Sequence, residues 1–415
     1  MSAHGAYTQE DSGAEVSSQS AGPPNDELSN PSIFISAGEA SGDAHGAGVV
    51  AELRKRYPDA DLFGIGGDRM QAAGLELIEH SRRMSFMGFA EVVRHLPFII
   101  NVQRRVLDQI RKRNPDLVVL IDYPGFHLSL LRKLRWLPGV EKRKVLYYIA
   151  PQVWAWKPGR AKTLAALTHH IAVIFPFEVD VFARYHARAT FVGHPLLDEI
   201  APVPPRGQFL KGLGLEPDDR VVGLFPGSRK QEIRRHLPVL LETAKLLRRF
   251  QPELKFILAE APGVPTRLYD KLLQGAAGIV RAFGVSHAIL AHANASMVKS
   301  GSTTVEAAYF GNPFVVFYKT SPLSYAIGRR MVNVPFIAMA NLLAGERAVP
   351  ELIQSEVTAD NLVGALMPLL TVPQEIEACR VRLRKVRESL GQPGAAKRVV
   401  DIAEQLLNGE DRHDC

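Results

Sequence analysis

At 415 residues with 46% hydrophobic content, the chain holds enough apolar material for two ordinary cores and is too long to be a single small module. Its two cysteines, Cys379 and the terminal Cys415, exclude a disulfide framework or a thiolate metal site, and no run approaches the roughly 18 apolar residues of a membrane span, so a cytoplasmic protein is expected. Fifty Lys and Arg against 43 Asp and Glu give a formal charge of +7, which suits phosphate, anionic lipid or nucleic acid without choosing among them.

Residues 1–30, rich in Ser, Gly, Ala, Asp and Glu with no hydrophobic period, read as a disordered tail. From Ser32 onward, Val-, Ile- and Leu-rich runs alternate with helical patterns, and strands are expected at Ser32–Ser36, Leu62–Ile65, Leu117–Ile121, Val145–Ile149 and Ile171–Phe175. Such alternation means a parallel sheet covered by helices, with ligands beyond the carboxyl ends of the strands. The first such loop, Gly38-Glu39-Ala40-Ser41-Gly42-Asp43, is either a tight turn or a place where a ligand approaches a helix N-terminus. The joint presence of Glu39, Ser41 and Asp43 favours the second reading, although the glycine spacing is not that of a dinucleotide site.

Asp59-Ala60-Asp61 has the Asp-x-Asp pattern of some metal-dependent transferases, but it follows Tyr57-Pro58 before a strand and reads as a solvated turn. Further on, Phe89–Ile100 places Leu96, Phe98, Ile99 and Ile100 next to Arg104 and Arg105, which marks either an interfacial membrane segment or the buried face of an ordinary helix. Asp122 stands directly at a strand end, as a general base or as a cap; burial against Tyr123 and Phe126 would raise its pKa toward the operating pH. The next loop sets Trp154 and Trp156 beside Lys157 and Arg160, an arrangement that suits a sugar phosphate or simple packing. His169-His170 begins a strand, where only one of the two faces a given side, and no metal-ligand spacing occurs; no metal and no cofactor are expected.

Ala201-Pro202-Val203-Pro204-Pro205-Arg206-Gly207 interrupts the rhythm and marks a domain boundary. The plan then repeats, with strands expected at Val221–Phe225, Lys255–Ala259, Ser296–Lys299 and Phe314–Phe317. Pro226-Gly227-Ser228-Arg229 opens a helix and offers a diphosphate site in which Arg229 neutralises a leaving group, unless Arg229 is a plain surface residue. Ser300-Gly301-Ser302-Thr303-Thr304-Val305-Glu306 carries the strongest signal: a phosphate at the helix start and ribose hydroxyls on Glu306. Asn341, in a flexible loop, is a weaker hint. The simplest architecture is α/β, with two Rossmann-like domains facing across a cleft, residues 31–205 and 206–380, and a final helical segment, 381–415.

From Ser32 to Leu407 these loops, together with Gly193-His194-Pro195, resemble the lipid-A-disaccharide synthase family. The resemblance implies a GT-B fold and an inverting transfer of 2,3-diacylglucosamine from its UDP conjugate to 2,3-diacylglucosamine 1-phosphate. It makes Asp122 the base and gives Glu39, Arg229, Glu306 and Asn341 positions important for activity or UDP binding. Gly227, Ser228, Ser300, Gly301, Ser302 and Thr303 join the UDP-sugar side; Ser41, Gly42, Asp43, Trp154 and Trp156 join the acceptor side. The last helix is expected to return to the first domain, and the protein to sit on the anionic inner face of the cytoplasmic membrane without binding nucleic acid. Gly125 stands where the family has an acidic residue and His127 where it often has Asn; Ser302 and Gln152 are smaller departures. A peptidoglycan glycosyltransferase or a UDP-N-acetylglucosamine epimerase is the alternative within the fold.

Overall fold

Runs such as Leu117-Val118-Val119-Leu120-Ile121 and Val221-Val222-Gly223-Leu224-Phe225 have no polar face, so they are stable as strands only when helices cover both sides. In the computed structural model, which describes residues 30–84, 95–139, 141, 143–154, 159–331 and 334–409, both runs are buried throughout. They are central strands of two separate parallel sheets.

The first sheet consists of β1 (Ser32–Ala37), β2 (Asp61–Gly66), β3 (Glu76–His80), β4 (Leu117–Ile121), β5 (Lys144–Tyr148), β6 (His170–Val173) and β7 (Ala189–Phe191), in the order β3-β2-β1-β4-β5-β6-β7. The second consists of β8 (Val221–Phe225), β9 (Lys255–Glu260), β10 (Ile279–Phe283), β11 (Ala295–Lys299), β12 (Phe314–Tyr318) and β13 (Glu351–Ile353), in the order β10-β9-β8-β11-β12-β13. In each sheet the order reverses once, between β1 and β4 and between β8 and β11, and a crevice opens where neighbouring crossovers go to opposite faces. At Gly64 in β2 a Cβ would lie 1.8 Å from the carbonyl oxygen of Ile35, so this strand runs as close to β1 as only glycine permits.

One face of the first sheet packs Phe34, Phe63, Val118 and Leu120 against Val102, Val106 and Ile110 of the helix Leu96–Arg113. The other face packs Ile33, Ile35, Val119 and Ile121 against Val49, Val50 and Leu53 of the helix Ala40–Arg56 and against Val399, Val400, Ala403 and Leu406 of the last helix, Ala395–Leu407. The chain therefore returns to its first domain at its end. The expected boundary at 380 is corrected: the helix Pro373–Ser389 runs through it, with Cys379, Leu383 and Val386 all in the second core, and the crossing follows at 390–394. Asp198 takes the N–H groups of Gly394 and Ala396 at 2.5 and 3.4 Å, Arg398 donates to the Val192 carbonyl at 2.7 Å, and Arg56 pairs with Asp401 and Glu404. These contacts fasten the last helix at both ends.

No helix among the described residues is long and apolar enough to cross a membrane. Asp59 is an exposed turn residue and Asp61 begins β2, accepting from the Ser32 hydroxyl, as a solvated turn before a strand requires. The expected tail before Ser32 lies almost wholly outside the described residues.

Leu406, 3% exposed under the first sheet, tests the return of the chain. Leu406→Ala is expected to lower stability by about 2–5 kcal/mol, whereas the exposed neighbour Gln405→Ala stays within about 0.5 kcal/mol. Urea unfolding followed by circular dichroism measures both.

Candidate active site

The strand-order reversals place four loops around one cleft: those after β1 and β4 from the first domain and those after β8 and β11 from the second. A cavity of about 560 Å³ lies between the domains, lined by Ser41, His45, Asp122 and Gln152 on one side and by Ser300, Gly301 and Ser302 on the other. Much of its remaining wall is apolar, including Phe175, Val305, Phe336, Ile337 and Leu342. A smaller cavity of about 260 Å³ adjoins it, lined by Gly227, Ser228, Lys299, Thr303 and Glu306, and shares Gly301 and Ser302 with the first. Together they form one trough running from the first domain into the second.

Asp122 and Tyr123 both have φ of +50°, a left-handed pair unusual for residues with side chains and costing on the order of 1–3 kcal/mol each. Three contacts hold this turn. The Asp122 carbonyl accepts from His127 Nδ1 at 2.6 Å and from the Tyr147 hydroxyl at 2.7 Å, and the Asp122 N–H donates to Tyr148 O at 2.9 Å. Because Nδ1 must donate to a carbonyl, the neutral imidazole accepts at Nε2, where the Ser36 hydroxyl lies at 2.8 Å. His127 is fully buried, and that burial pushes its pKa down to about 4, outweighing the carbonyl of Asp122. The ring of Tyr123 fills the space a side chain would need at Gly38, where a Cβ would lie 2.2 Å from it.

This arrangement leaves the Asp122 carboxylate at the cavity wall. Burial first, and then the charge of Glu39, raise its pKa to about 6, against the lowering effect of the Tyr123 N–H and His45. A carboxylate with that pKa is ionised at neutral pH yet more basic than an ordinary aspartate, which is what proton abstraction from a hydroxyl requires. Across the trough, burial first and Glu199 second raise the Glu306 carboxyl to about 7, and Glu306 lies 3.7 Å from His287 Nε2. Glu199 is itself bonded to His45 Nδ1 at 2.5 Å.

Several expected site residues turn out to hold structure. Asp43 is buried and accepts from the N–H groups of Gly67, Arg69 and Met70, capping the short helix Asp68–Ala72; it is corrected from acceptor ligand to cap. Gly42 packs beneath it, a Cβ there falling 3.2 Å from that of Ala37. Trp154 is not among the residues lining either cavity; its Nε1 donates to the buried Glu178 at 3.1 Å and its ring lies edge-on to Phe177. Trp156 lies outside the described residues. The Asn341 amide is wholly engaged, donating to Val349 O and Glu351 and accepting from Val349 N, so it fastens its loop and offers nothing to a ligand.

Arg229 stands at the trough margin, half exposed, 3.6 Å from Glu232. Of the apolar-basic stretch, residues 89–94 lie outside the described residues; Phe98 and Ile99 pack against the core, whereas Leu96 and Ile100 are 47% and 38% exposed. Arg104 and Arg105 are both exposed, and Arg105 also pairs with the buried Glu79. Among the described residues no group of three or more His, Cys, Asp or Glu could hold a metal ion.

Four residues that order the site were not singled out from sequence. Glu178 gathers Trp154 and the Phe175 N–H; Glu351 accepts from Ile337 N, Ala338 N and Asn341; His236 ties Pro226 to Lys319; and Glu232 binds the loop after β8. Each works through partners distant in sequence or through backbone, so local pattern carried no signal for it.

A family model described as lipid-A-disaccharide synthetase matches residues 33–404. The lipid-A-disaccharide synthase of Geobacter metallireducens is 42% identical over 379 residues, covering 91% of this chain and 98% of that one. That of Acidobacterium capsulatum is 42% identical over 395 residues, covering 91% and 97%. Among solved structures, a calicheamicin glycosyltransferase superposes with a TM-score of 0.59 at 17% identity, covering 92% of this chain and 99% of that one. A UDP-GlcNAc 2-epimerase from Neisseria meningitidis bound to UDP-GlcNAc gives 0.58 at 12%, covering 90% and 98%. At such identities the likeness is one of fold, the two-domain GT-B arrangement.

The buried neutral His127 leaves a mark on stability. Unfolded, it takes a proton near pH 6.5; folded, only near 4, so its contribution is lost as pH falls from 6.5 to 4. His127→Asn removes that titration and can still donate to the Asp122 carbonyl. The stability difference between the two proteins, measured by urea unfolding at pH 7 and pH 5, is therefore expected to move in favour of the variant at the lower pH.

Proposed function

The chain belongs to the lipid-A-disaccharide synthase family of glycosyltransferases, and we propose that it transfers 2,3-diacylglucosamine from UDP-2,3-diacylglucosamine to the 6-hydroxyl of 2,3-diacylglucosamine 1-phosphate. The products are the β-1,6-linked disaccharide 1-phosphate and UDP. The observation that carries this reading is the trough itself, with a carboxylate of raised pKa at the first-domain wall and Gly-, Ser- and Thr-rich helix starts at the other.

The UDP moiety occupies the smaller cavity. Its diphosphate lies against the loops Gly227-Ser228-Arg229 and Ser300-Gly301-Ser302-Thr303, where backbone N–H groups at helix starts favour an anion, and its ribose hydroxyls reach Glu306. The acceptor enters past Ser41 and His45, and the apolar wall of the larger cavity faces acylated sugar. Asp122 takes the proton of the acceptor hydroxyl as its oxygen bonds to the anomeric carbon from the side opposite the diphosphate. The bond to the diphosphate breaks, its electron pair leaves with UDP, and the configuration inverts. Glu39 keeps Asp122 basic, and Arg229 offsets the charge that grows on the leaving group. The residues at hand supply both functions without a cofactor or metal.

Leu96 and Ile100 are exposed in the first turns of the helix Leu96–Arg113, with the exposed Arg104 further along the same helix. We assign this face to the anionic inner surface of the cytoplasmic membrane, where exposed apolar groups insert and cations pair with head groups. Nucleic acid has no place in this reading.

With both substrates and EDTA present, the wild type is expected to release UDP only when acceptor is added, and Asp122→Asn to slow that release by about 10²–10⁴-fold. In the wild type kcat/KM should rise with pH about a midpoint near 6, the carboxylate being the active form, and Glu39→Gln should move the midpoint down. Acceptor-independent turnover, or none, would sink the assignment. Separately, Leu96→Ser with Ile100→Ser is expected to reduce co-sedimentation with phosphatidylglycerol vesicles while leaving thermal unfolding unchanged.

A further inference from the structure

The loops after β8 and β11 converge on a side chain of the protein itself. Glu232, in the first turn of the helix Lys230–Phe250, directs its carboxylate back over Gly227 and accepts from the Ser228 N–H at 3.0 Å. A Cβ at Gly227 would lie 2.4 Å from Glu232 Oε2, so the missing side chain is what makes room for this carboxylate. Its other oxygen lies 3.0 Å from Lys299 Nζ and 3.6 Å from Arg229. Lys299 comes from the last position of β11, and its ammonium also faces the neighbouring loop, 3.4 Å from where a Cβ of Gly301 would be. Lys299 and Glu232 are each only 15% exposed, and Lys299 lines the smaller cavity with Ser228, Ser302, Thr303 and Glu306.

A backbone N–H at a helix start and two cations, arranged around one carboxylate, form a receptor for an anion with several oxygens. Burial of Glu232 would raise its pKa, but the charge and hydrogen bond of Lys299, the Ser228 N–H and Arg229 together hold it below the usual carboxylate range, so it stays charged. A carboxylate fills this receptor only in part, since a diphosphate brings more charge and more oxygens.

Resting on the reading that the donor is a UDP-sugar, we propose that Lys299 is a second cation for the donor's diphosphate and that Glu232 occupies the diphosphate's place until the donor arrives. Lys299 then exchanges one anion for another, and the receptor stays charge-balanced with the cleft empty or filled. The competing possibility is that Lys299 serves only to neutralise Glu232.

Titration calorimetry with UDP, and with uridine as the phosphate-free control, separates the two. Lys299→Met is expected to weaken UDP binding by about 10- to 100-fold and to leave uridine binding unchanged, while Glu232→Gln tightens UDP binding. If Lys299 touches the diphosphate, the double variant Lys299→Met with Glu232→Gln stays weaker than Glu232→Gln alone by a similar factor, and Lys299→Arg retains most of the affinity. A double variant that binds UDP as tightly as Glu232→Gln alone, or equal losses for UDP and uridine, overturns the proposal. Thermal unfolding of each variant guards against a loss caused by misfolding. Failure of the wild type to bind UDP at all defeats the donor reading and this proposal with it, whereas tight UDP binding unaltered in Lys299→Met defeats this proposal alone.

Discussion

Everything that bears on function in this protein depends on the single reversal of strand order within each sheet. A parallel strand needs a crossover, crossovers are right-handed, and where their direction changes two adjacent strand ends are left without a connection between them. In the first sheet those ends carry Gly38 and Asp122, and in the second Pro226 and Ser300. The cleft follows from that topology, and side chains then give it chemistry. The left-handed turn at Asp122, stiffened from behind by His127, Tyr147 and Ser36, is the most constrained piece of that chemistry.

The interior of both sheets was legible in the sequence because interior strands are covered on two faces and read as unbroken apolar runs. The four strands that were not anticipated, β3, β7, β10 and β13, are the four sheet edges. Glu76-Leu77-Ile78-Glu79-His80 and Glu351-Leu352-Ile353 mix charge with apolar residues because one side of an edge strand has no neighbour to exclude water, so neither periodicity nor composition announces them. The loops that follow interior strands inherited this legibility, and Asp122, Glu306, Ser300–Thr303 and Gly227–Ser228 all line or adjoin the trough.

Polar residues were harder to sort. Asp43, Asn341 and Trp154 carry the same groups a ligand would want, yet each meets a partner in the protein that no local pattern discloses: the Gly67–Met70 backbone, Glu351 and Val349, and Glu178. The functional and structural uses of a buried polar group obey one rule, that it must be satisfied, and sequence cannot say by whom. His127 shows the converse. It departs from the family pattern, but an imidazole donor at 2.6 Å from the Asp122 carbonyl does what an amide donor in that place can do.

The return of the last helix to the first domain has a consequence for how the protein is made. Val49, Val50 and Leu53 complete their packing against Val399, Val400 and Leu406, and these partners are separated by the entire second domain. A ribosome working at about 5–20 residues per second leaves that apolar face uncovered for roughly 10–40 s after the rest of the first domain has emerged. The amino-terminal half must therefore wait, partly folded and exposed to aggregation or to chaperones, for the carboxyl-terminal residues that close it, and translation reaches both domains' final form at nearly the same moment.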